Sequence, residues 1–479
     1  MSKVLVSQLF AQLVAESVPG GRITPAHIAA FLDNPERVFP DGIVANEKLI
    51  GLIPKKFQGI DELSLHDGKP LYRARQGETW DKDVKYCVVW GEAEGKPCDR
   101  IGDEVQERSA RLILADGKPL YRAKQGEQWC VVWGDAEGKP YEYVDWPTLA
   151  EGKPLYWVRQ DRKEFVVWGE AEGKRYPEVS RPFLADGRIV YSVRLDDEKH
   201  CLVRGEAEGE AHDHIYSFDL VDGKPLYTVG HEKRCFIVFG EEKGVSYDCI
   251  HSYDHPYYAS AFFTEPVLVQ GELLYAVKVG EALVVKHGER EIARFDQARR
   301  IDHLMITDST LMCVVKTGHL HFHLVCGEFK SKTFEGIHWP SCADGKPLYV
   351  AYINNRPGFM GSGSMAVVWG EAEGKQYRSV SEPIIAEGKV LYAADDGDDG
   401  MFVVWGGEEG FHYDEIGDLR FVNGKPVYWA KQDGKSFVVW GDFEGKPYDE
   451  VFSLEVEKDR IVYGAKKGRR IYEVSILRR

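Results

Sequence analysis

Residues 117 to 151, GKPLYRAKQGEQWCVVWGDAEGKPYEYVDWPTLAE, recur in copies along most of the chain. Residues 152 to 186 run GKPLYWVRQDRKEFVVWGEAEGKRYPEVSRPFLAD, and 424 to 459 run GKPVYWAKQDGKSFVVWGDFEGKPYDEVFSLEVEKD. A unit this short cannot cover its own apolar side chains, so a chain made of such units folds by stacking them. The repeat therefore restricts the fold more than any other property of the sequence.

Within the unit, turn signals punctuate short apolar runs, and no run is long enough for a helix. Four strands fit. Strand A is PLYRAKQ and strand B is WCVVWG, separated by Gly126 and Glu127; GDAEGKP turns into strand C, PYEYV, and a short link leads to strand D, TLAE. The Glu-Gly or Asp-Gly that opens the next unit predicts a two-residue hairpin joining D to the following A, because Gly supplies the positive φ such loops require. Strand B shows no polar alternation (Val131, Val132 and Trp133; Phe165, Val166, Val167 and Trp168), so both of its faces must be covered. Four short antiparallel strands covered on both faces by neighbouring units describe the blades of an all-β β-propeller.

The grammar resembles that of PQQ-type propeller repeats, which share the DGK-x-x-Y strand and the Gly-Lys turns. It also resembles the bacterial repeats named for a Trp-Gly pair, here Trp133-Gly134. Neither resemblance carries a functional residue across. Units start at Gly68, Gly117, Gly152, Gly187, Gly223, Gly271, about Ser309, Gly345, Gly388 and Gly424, with a compressed copy from Asp41 and a half copy at the C-terminus. About eleven or twelve units exceed the blades usual for one ring, which favours two rings, with one large ring as the alternative. Divergence of the WGEAEGK turn after Gly271 places a junction near residue 270. The expected organisation is then a helical segment at 1–38, a first propeller set at 39–270 and a second at 271–479. The terminal RIVYGAKKGRRIYEVSILRR supplies strands A and B alone and is expected to close with the N-terminal region, which hides an edge. The N-terminal helices are expected from Val6, Leu9, Phe10, Leu13 and Val14 at helical spacing, and from Thr24-Pro25 as a helix start.

A net charge of −16 argues against nucleic acid or anionic membrane as partner, since both need a basic surface. Nine cysteines without a CxxC pair read as buried thiols rather than a disulfide framework, consistent with a cytoplasmic protein. No nucleophile elbow, phosphate loop or dinucleotide fingerprint occurs in a strand-helix context.

Unit-specific insertions carry the functional signal. QGETWDKDVKY (76–86) and INNRPGFMGSGSM (353–365) lengthen A–B turns, whereas RIGDEVQERSA (100–110) and HSYDHPYYASAFFTEP (251–266) lengthen C–D links. In a four-strand meander those connections share one face, and in repeat proteins insertions on one face mark the binding side. Trp80, Tyr253, Tyr257, Tyr258, Phe262, Phe263, Phe359 and Met360 are the candidate anchors there. The Trp-Gly tryptophans, in contrast, read as packing between blades, and the GEAEGKP turns as a regular acidic rim. Twelve of fifteen histidines fall between His200 and His338; the run HLHFH places His319, His321 and His323 on one strand face, where they could ligate a divalent metal. The bland alternative is a polar strand face without a cofactor. The sequence is thus read as a non-catalytic scaffold that binds a protein or peptide through its long-loop face. A carbohydrate-active hydrolase or lyase with a pocket at a ring centre is the alternative. Oligomeric state is left open.

Overall fold

A computed structural model describes residues 37–38, 43–78, 83–102, 112–145, 147–231, 234–240, 242–248, 266–307, 309–353, 363–397, 400–458 and 460–478. The expected N-terminal helices lie outside the described residues. The protein is an all-β β-propeller: the described residues form eleven antiparallel sheets, each a blade of the D-A-B-C type. Their A strands begin at Lys69, Lys118, Lys153, Arg188, Lys224, Glu272, Thr310, Lys346, Lys389, Lys425 and Arg460. The chain divides into two compact units, Met1–Pro97 with Tyr413–Arg479, and Cys98–His412.

The D–A hairpins follow from the Asp-Gly and Glu-Gly pairs. Asp116 and Gly117 have φ of 49° and 69°, and Glu151 and Gly152 of 48° and 68°, so both turn residues occupy the left-handed region of a type I′ turn. Ala150 pairs with Lys153 immediately outside the turn, which fixes the register. Strand B is buried on both faces, as its unbroken apolar run requires: Val131 and Val132 are 2% and 6% exposed.

Strand C differs from the sequence reading. It is only Ala136–Glu137, inside the segment read as a turn. Gly138 then donates its N–H back to the Val131 carbonyl at 2.8 Å, and Pro140, lacking an N–H, cannot extend the ladder. A side chain at position 138 would press on the Tyr156 hydroxyl of the next blade, 3.2 Å from an added Cβ, so glycine lets the two blades approach. Tyr141 makes an isolated bridge to Trp129, and Tyr143–Val144 crosses to pair with Val158 and Arg159 of the next sheet. Strand D therefore begins earlier than its sequence suggests, and in every blade whose two halves are described it is bulged or broken midway. Register shifts fall between Asp61 and Ser64, Asp302 and Met305, His338 and Ser341, Gly417 and Arg420, and Phe452 and Glu455. At each of these sites the bulged residue, Glu62, His303, Trp339, Asp418 or Ser453, has a positive φ.

Adjacent blades are joined by a repeated polar clasp. The Tyr141 hydroxyl and the Lys139 ammonium both donate to Glu172 Oε1 of the next blade, at 3.0 and 3.1 Å. Tyr176 and Lys174 do the same to Glu208 at 2.8 and 2.6 Å, and Tyr377 and Lys375 to Glu409 at 2.7 Å each. The tyrosine rings are buried within inter-blade clusters such as Leu120, Val131, Val144, Tyr156 and Phe165. Glu172, Glu208 and Glu409 are held below the usual carboxylate range, first by the lysine hydrogen bond in each case. The acidic rim of the sequence reading is thus in part a structural element: of the two glutamates in a GEAEGK turn, the second is engaged by its neighbour.

In the unit formed by the two chain ends, the same clasp uses a residue from the other terminus. Ile43–Leu52 pairs antiparallel with Arg470–Arg478, and the sheet runs on through Arg460–Lys467 to Glu450–Glu457. Glu47 on that N-terminal strand accepts from Tyr448 at 2.6 Å and from Lys446 at 2.7 Å. Around residue 270, Leu226, Ile237 and Tyr247 share one core with Tyr275, Val277 and Val284. Among the described residues seven cysteines form no disulfide, and Cys235 is disulfide-bonded.

Glu47→Ala should destabilise the protein by about 1 to 2 kcal/mol, since it removes hydrogen bonds to a charged acceptor that is partly open to solvent. Tyr448→Phe should cost less, and the double variant little more than Glu47→Ala alone, as read from denaturant melts. The pH profile follows from the same groups. Lowered glutamate pKa values contribute stability above the unfolded value of about 4.3, which is lost as pH falls through the folded values. The phenols of Tyr72, Tyr156, Tyr191 and Tyr428 are pushed up to about 12, chiefly by burial, so the stability they contribute below pH 10 is lost as pH rises towards 12. A spectrophotometric titration should show phenolate absorbance from this set appearing only together with unfolding.

Candidate functional site

The two ends of each blade are chemically different. At the B–C turn, the Trp-Gly tryptophan lies across its own sheet: Trp168 Nε1 donates to the Ala150 carbonyl at 3.0 Å while Lys153 sits over the ring at 5.0 Å. Trp133 does the same with Ala115 and Lys118, at 3.1 and 4.9 Å. Both indoles also pack against inter-blade clusters, so these tryptophans serve packing and the clasps use the glutamates beside them.

At the opposite end, where A turns into B and strand D begins, two clefts open between blades of the Cys98–His412 unit. The smaller, about 440 Å³, is lined by Glu178, Arg181, Phe183, Arg194, His200 and Tyr216 among others. One of its two cations is already satisfied: Arg194 pairs with Glu178 at 3.2 Å and with both oxygens of Glu198 at 2.8 and 2.9 Å. Burial, and then the neighbouring His214, lower the His200 pKa.

The larger cleft, about 670 Å³, occupies the equivalent place between the blades at 300–330 and 336–377. Its walls carry Arg300, His303, Lys316, His319, His338 and Tyr352, with Phe322 and Ile337 as apolar surface and Asp302 and Glu335 as acids. Arg300 is neutralised by Asp302 at 2.5 Å, whereas Lys316 lies over the Phe322 ring at 5.0 Å and makes no ion pair among the described residues. The His338 ring stands 4.8 Å from that of Tyr352, and burial followed by the charge of His303 lowers its pKa. Beside it Trp339 is 40% exposed with φ of 47°, a backbone region in which a bulky side chain is strained.

The sequence-predicted anchors Trp80, Tyr253, Tyr257, Tyr258, Phe262, Phe263, Phe359 and Met360 all lie outside the described residues. Their attachment points are described. The segments holding Trp80 and Phe359 join A to B, after Gln76 and Ile353. RIGDEVQERSA interrupts strand D itself, between Ile101, paired with Ala123, and Ile113, paired with Leu120. The three histidines of HLHFH separate. His319 and Leu320 form the turn between Gly318 and His321, so strand alternation starts only at His321. His319 lines the larger cleft, His321 is exposed, and His323 is 5% exposed with its pKa lowered first by burial. No group of three His, Cys, Asp or Glu side chains among the described residues could hold a metal ion. His212 occupies the place of a clasp tyrosine, bridged to His200 and edge-on to Phe236.

Sequence reasoning passed over Lys316, His303, His338 and Trp339. The available signal was Trp339 itself, standing at a bulge where other copies carry Glu62, Asp418 or Ser453.

No protein-family model matches the chain, and no curated protein matches it. Among solved structures, the chain is similar to BamB from Moraxella catarrhalis, at 9% identity over 62% of this chain and 93% of that one, with a TM-score of 0.29. It is similar also to the β-propeller domain of the Trilobed protease from Pyrococcus furiosus, at 13% identity over 70% and 95%, with a TM-score of 0.23. A third is Hsv2 from Kluyveromyces lactis, at 10% identity over 60% and 94%, with a TM-score of 0.26. At such scores these likenesses carry no argument about function.

Because His319, His321 and His323 diverge, elemental analysis of tag-free protein should give well under one equivalent of zinc, nickel or copper. His321→Ala should leave that content unchanged; a stoichiometric metal lost in this variant would restore the trio as a site.

Proposed function

We propose that the protein is a non-catalytic scaffold that binds a protein or peptide at the end of the blades where A turns into B. One observation carries this reading: the two clefts described above lie at that end, which is also where the insertions at 79–82 and 354–362 leave the sheets. The opposite end commits its tryptophans to packing and the second glutamate of the clasped turns to the clasps. Shallow inter-blade clefts with aromatic and cationic walls suit side chains of a polypeptide better than they suit a small substrate held for chemistry.

Replacing Tyr257, Phe262, Phe263 and Phe359 by polar residues should weaken capture of the partner from native lysate, each anchor contributing about 1 to 3 kcal/mol. The melting temperature should stay within a degree or two. Glu92→Ser with Glu170→Ser, at the exposed first glutamates of two GEAEGK turns, should leave capture intact. Loss of capture with those two and not with the aromatics would assign binding to the wrong end.

A further inference from the structure

We propose that the cleft lined by Lys316, His303, His319, His338 and Tyr352, with Trp339 packed beside His338, binds an acidic peptide segment of the partner and holds it more tightly as the pH falls below neutral. This rests on the reading of the protein as a peptide-binding scaffold and names the chemistry recognised. The first argument is charge. In a chain of net charge −16, this cleft gathers two cationic side chains and three imidazoles against two carboxylates, and one of those carboxylates, Asp302, is spent on Arg300 at 2.5 Å. Lys316 and the three histidines make no ion pair among the described residues, whereas the equivalent cation in the smaller cleft, Arg194, is held by two glutamates. Lys316 and the imidazoles therefore leave the larger cleft with unused capacity for an anion.

The second argument is shape. His338 and Tyr352 are 4.8 Å apart at 55°, His338 and Trp339 5.9 Å apart at 61°, and Phe322 lies under Lys316, so the cations are set against aromatic faces. Such a surface takes the extended backbone and methylene groups of a glutamate-bearing segment while Lys316 and the imidazoles meet the carboxylates. The exposed Trp339, at the strand-D bulge beside His338, supplies the anchor.

The direction of the pH effect follows from the groups that face His338. Its neighbours are His303, Lys316 and Arg300 from the preceding blade, His319 from the A–B turn, and Tyr352, Glu335 and Asp302; the nearest cause of its low pKa besides burial is His303. A bound carboxylate favours the imidazolium forms, so by linkage protonation favours the bound carboxylate. Glutamate itself stays ionised down to about pH 4.3, so the ligand still carries its charge when the pH falls below the ordinary imidazole value of about 6.5.

The test uses the purified full chain and a fluorescein-labelled peptide of four glutamates around a central tyrosine, followed by anisotropy at near-physiological salt. The expected result is saturable binding, at least fivefold tighter at pH 5.5 than at pH 7.5, with no binding of the matching lysine peptide. Lys316→Ala with His338→Ala should weaken binding tenfold or more, and His303→Ala should flatten the pH dependence. Trp339→Gly should weaken binding severalfold while leaving the melting temperature equal or higher, which separates lost contact from lost fold. Binding that is absent, unchanged by pH, equal for the lysine peptide, or untouched by these variants would overturn the proposal. So would displacement of the peptide by millimolar inorganic phosphate, which would make the cleft a phosphate site. If the acidic peptide fails while loop-dependent capture of the native partner persists, the inference falls alone; if that capture fails as well, the scaffold reading falls with it.

Discussion

A tyrosine hydroxyl and a lysine ammonium converging on one glutamate of the next blade is the contact on which the stacking of this chain depends. Hydrophobic burial alone would let two twisted sheets slide over each other, since Val, Leu and Tyr pack acceptably in several offsets. A clasp such as Tyr176 and Lys174 on Glu208 removes that freedom, because the acceptor oxygen is a point and the ring that carries the donor is buried. In the turn that carries Glu137, Gly138 leaves room for the hydroxyl of Tyr156 in the next blade, so that short turn is also a contact surface. The energy of any one clasp is modest; its repetition at the same register gives the array a definite geometry.

Much of this was legible beforehand. The Asp-Gly and Glu-Gly pairs fixed the hairpins because only type I′ geometry suits them, and the unbroken Val-Val-Trp run of strand B required cover on both faces. Strand C was misplaced for an equally physical reason. Its tyrosine has strand-like neighbours in sequence, but Pro140 withholds an N–H and Gly138 turns the chain back, so the ladder stops at two residues. Backbone hydrogen bonding overruled side-chain pattern there.

The binding end was harder to read. Aromatic insertions attract attention in a sequence, whereas the larger cleft is assembled from single residues contributed by two blades, each unremarkable in its own copy. Lys316 ends a strand and Tyr352 ends the corresponding strand of the next blade; only the stacking sets them in one wall. The HLHFH run misled in the opposite sense. Its alternation holds only if the strand begins at the first histidine, and the turn at His319-Leu320 displaces that residue into different surroundings from His323. What a repeat does at its turns, where one residue more or less changes which side chains share a surface, is the part that periodicity cannot supply.

The pairing of Ile43–Leu52 with Arg470–Arg478 also bears on how the molecule is made. Glu47 and Lys446 are 399 residues apart in sequence, so a nascent chain must carry the earlier strand without a partner until that whole intervening stretch has been made. During that interval the strand exposes unpaired N–H and C=O groups, and Leu49 and Leu52 remain 51% and 64% exposed even when folded. The local hairpins can form early and fast, but the final register waits on a contact of very high order. Synthesis rate and chaperone supply should therefore govern the yield of this protein more than its equilibrium stability does, and a circular permutant that joins the two terminal strands in sequence would convert the slowest step into one of the quickest.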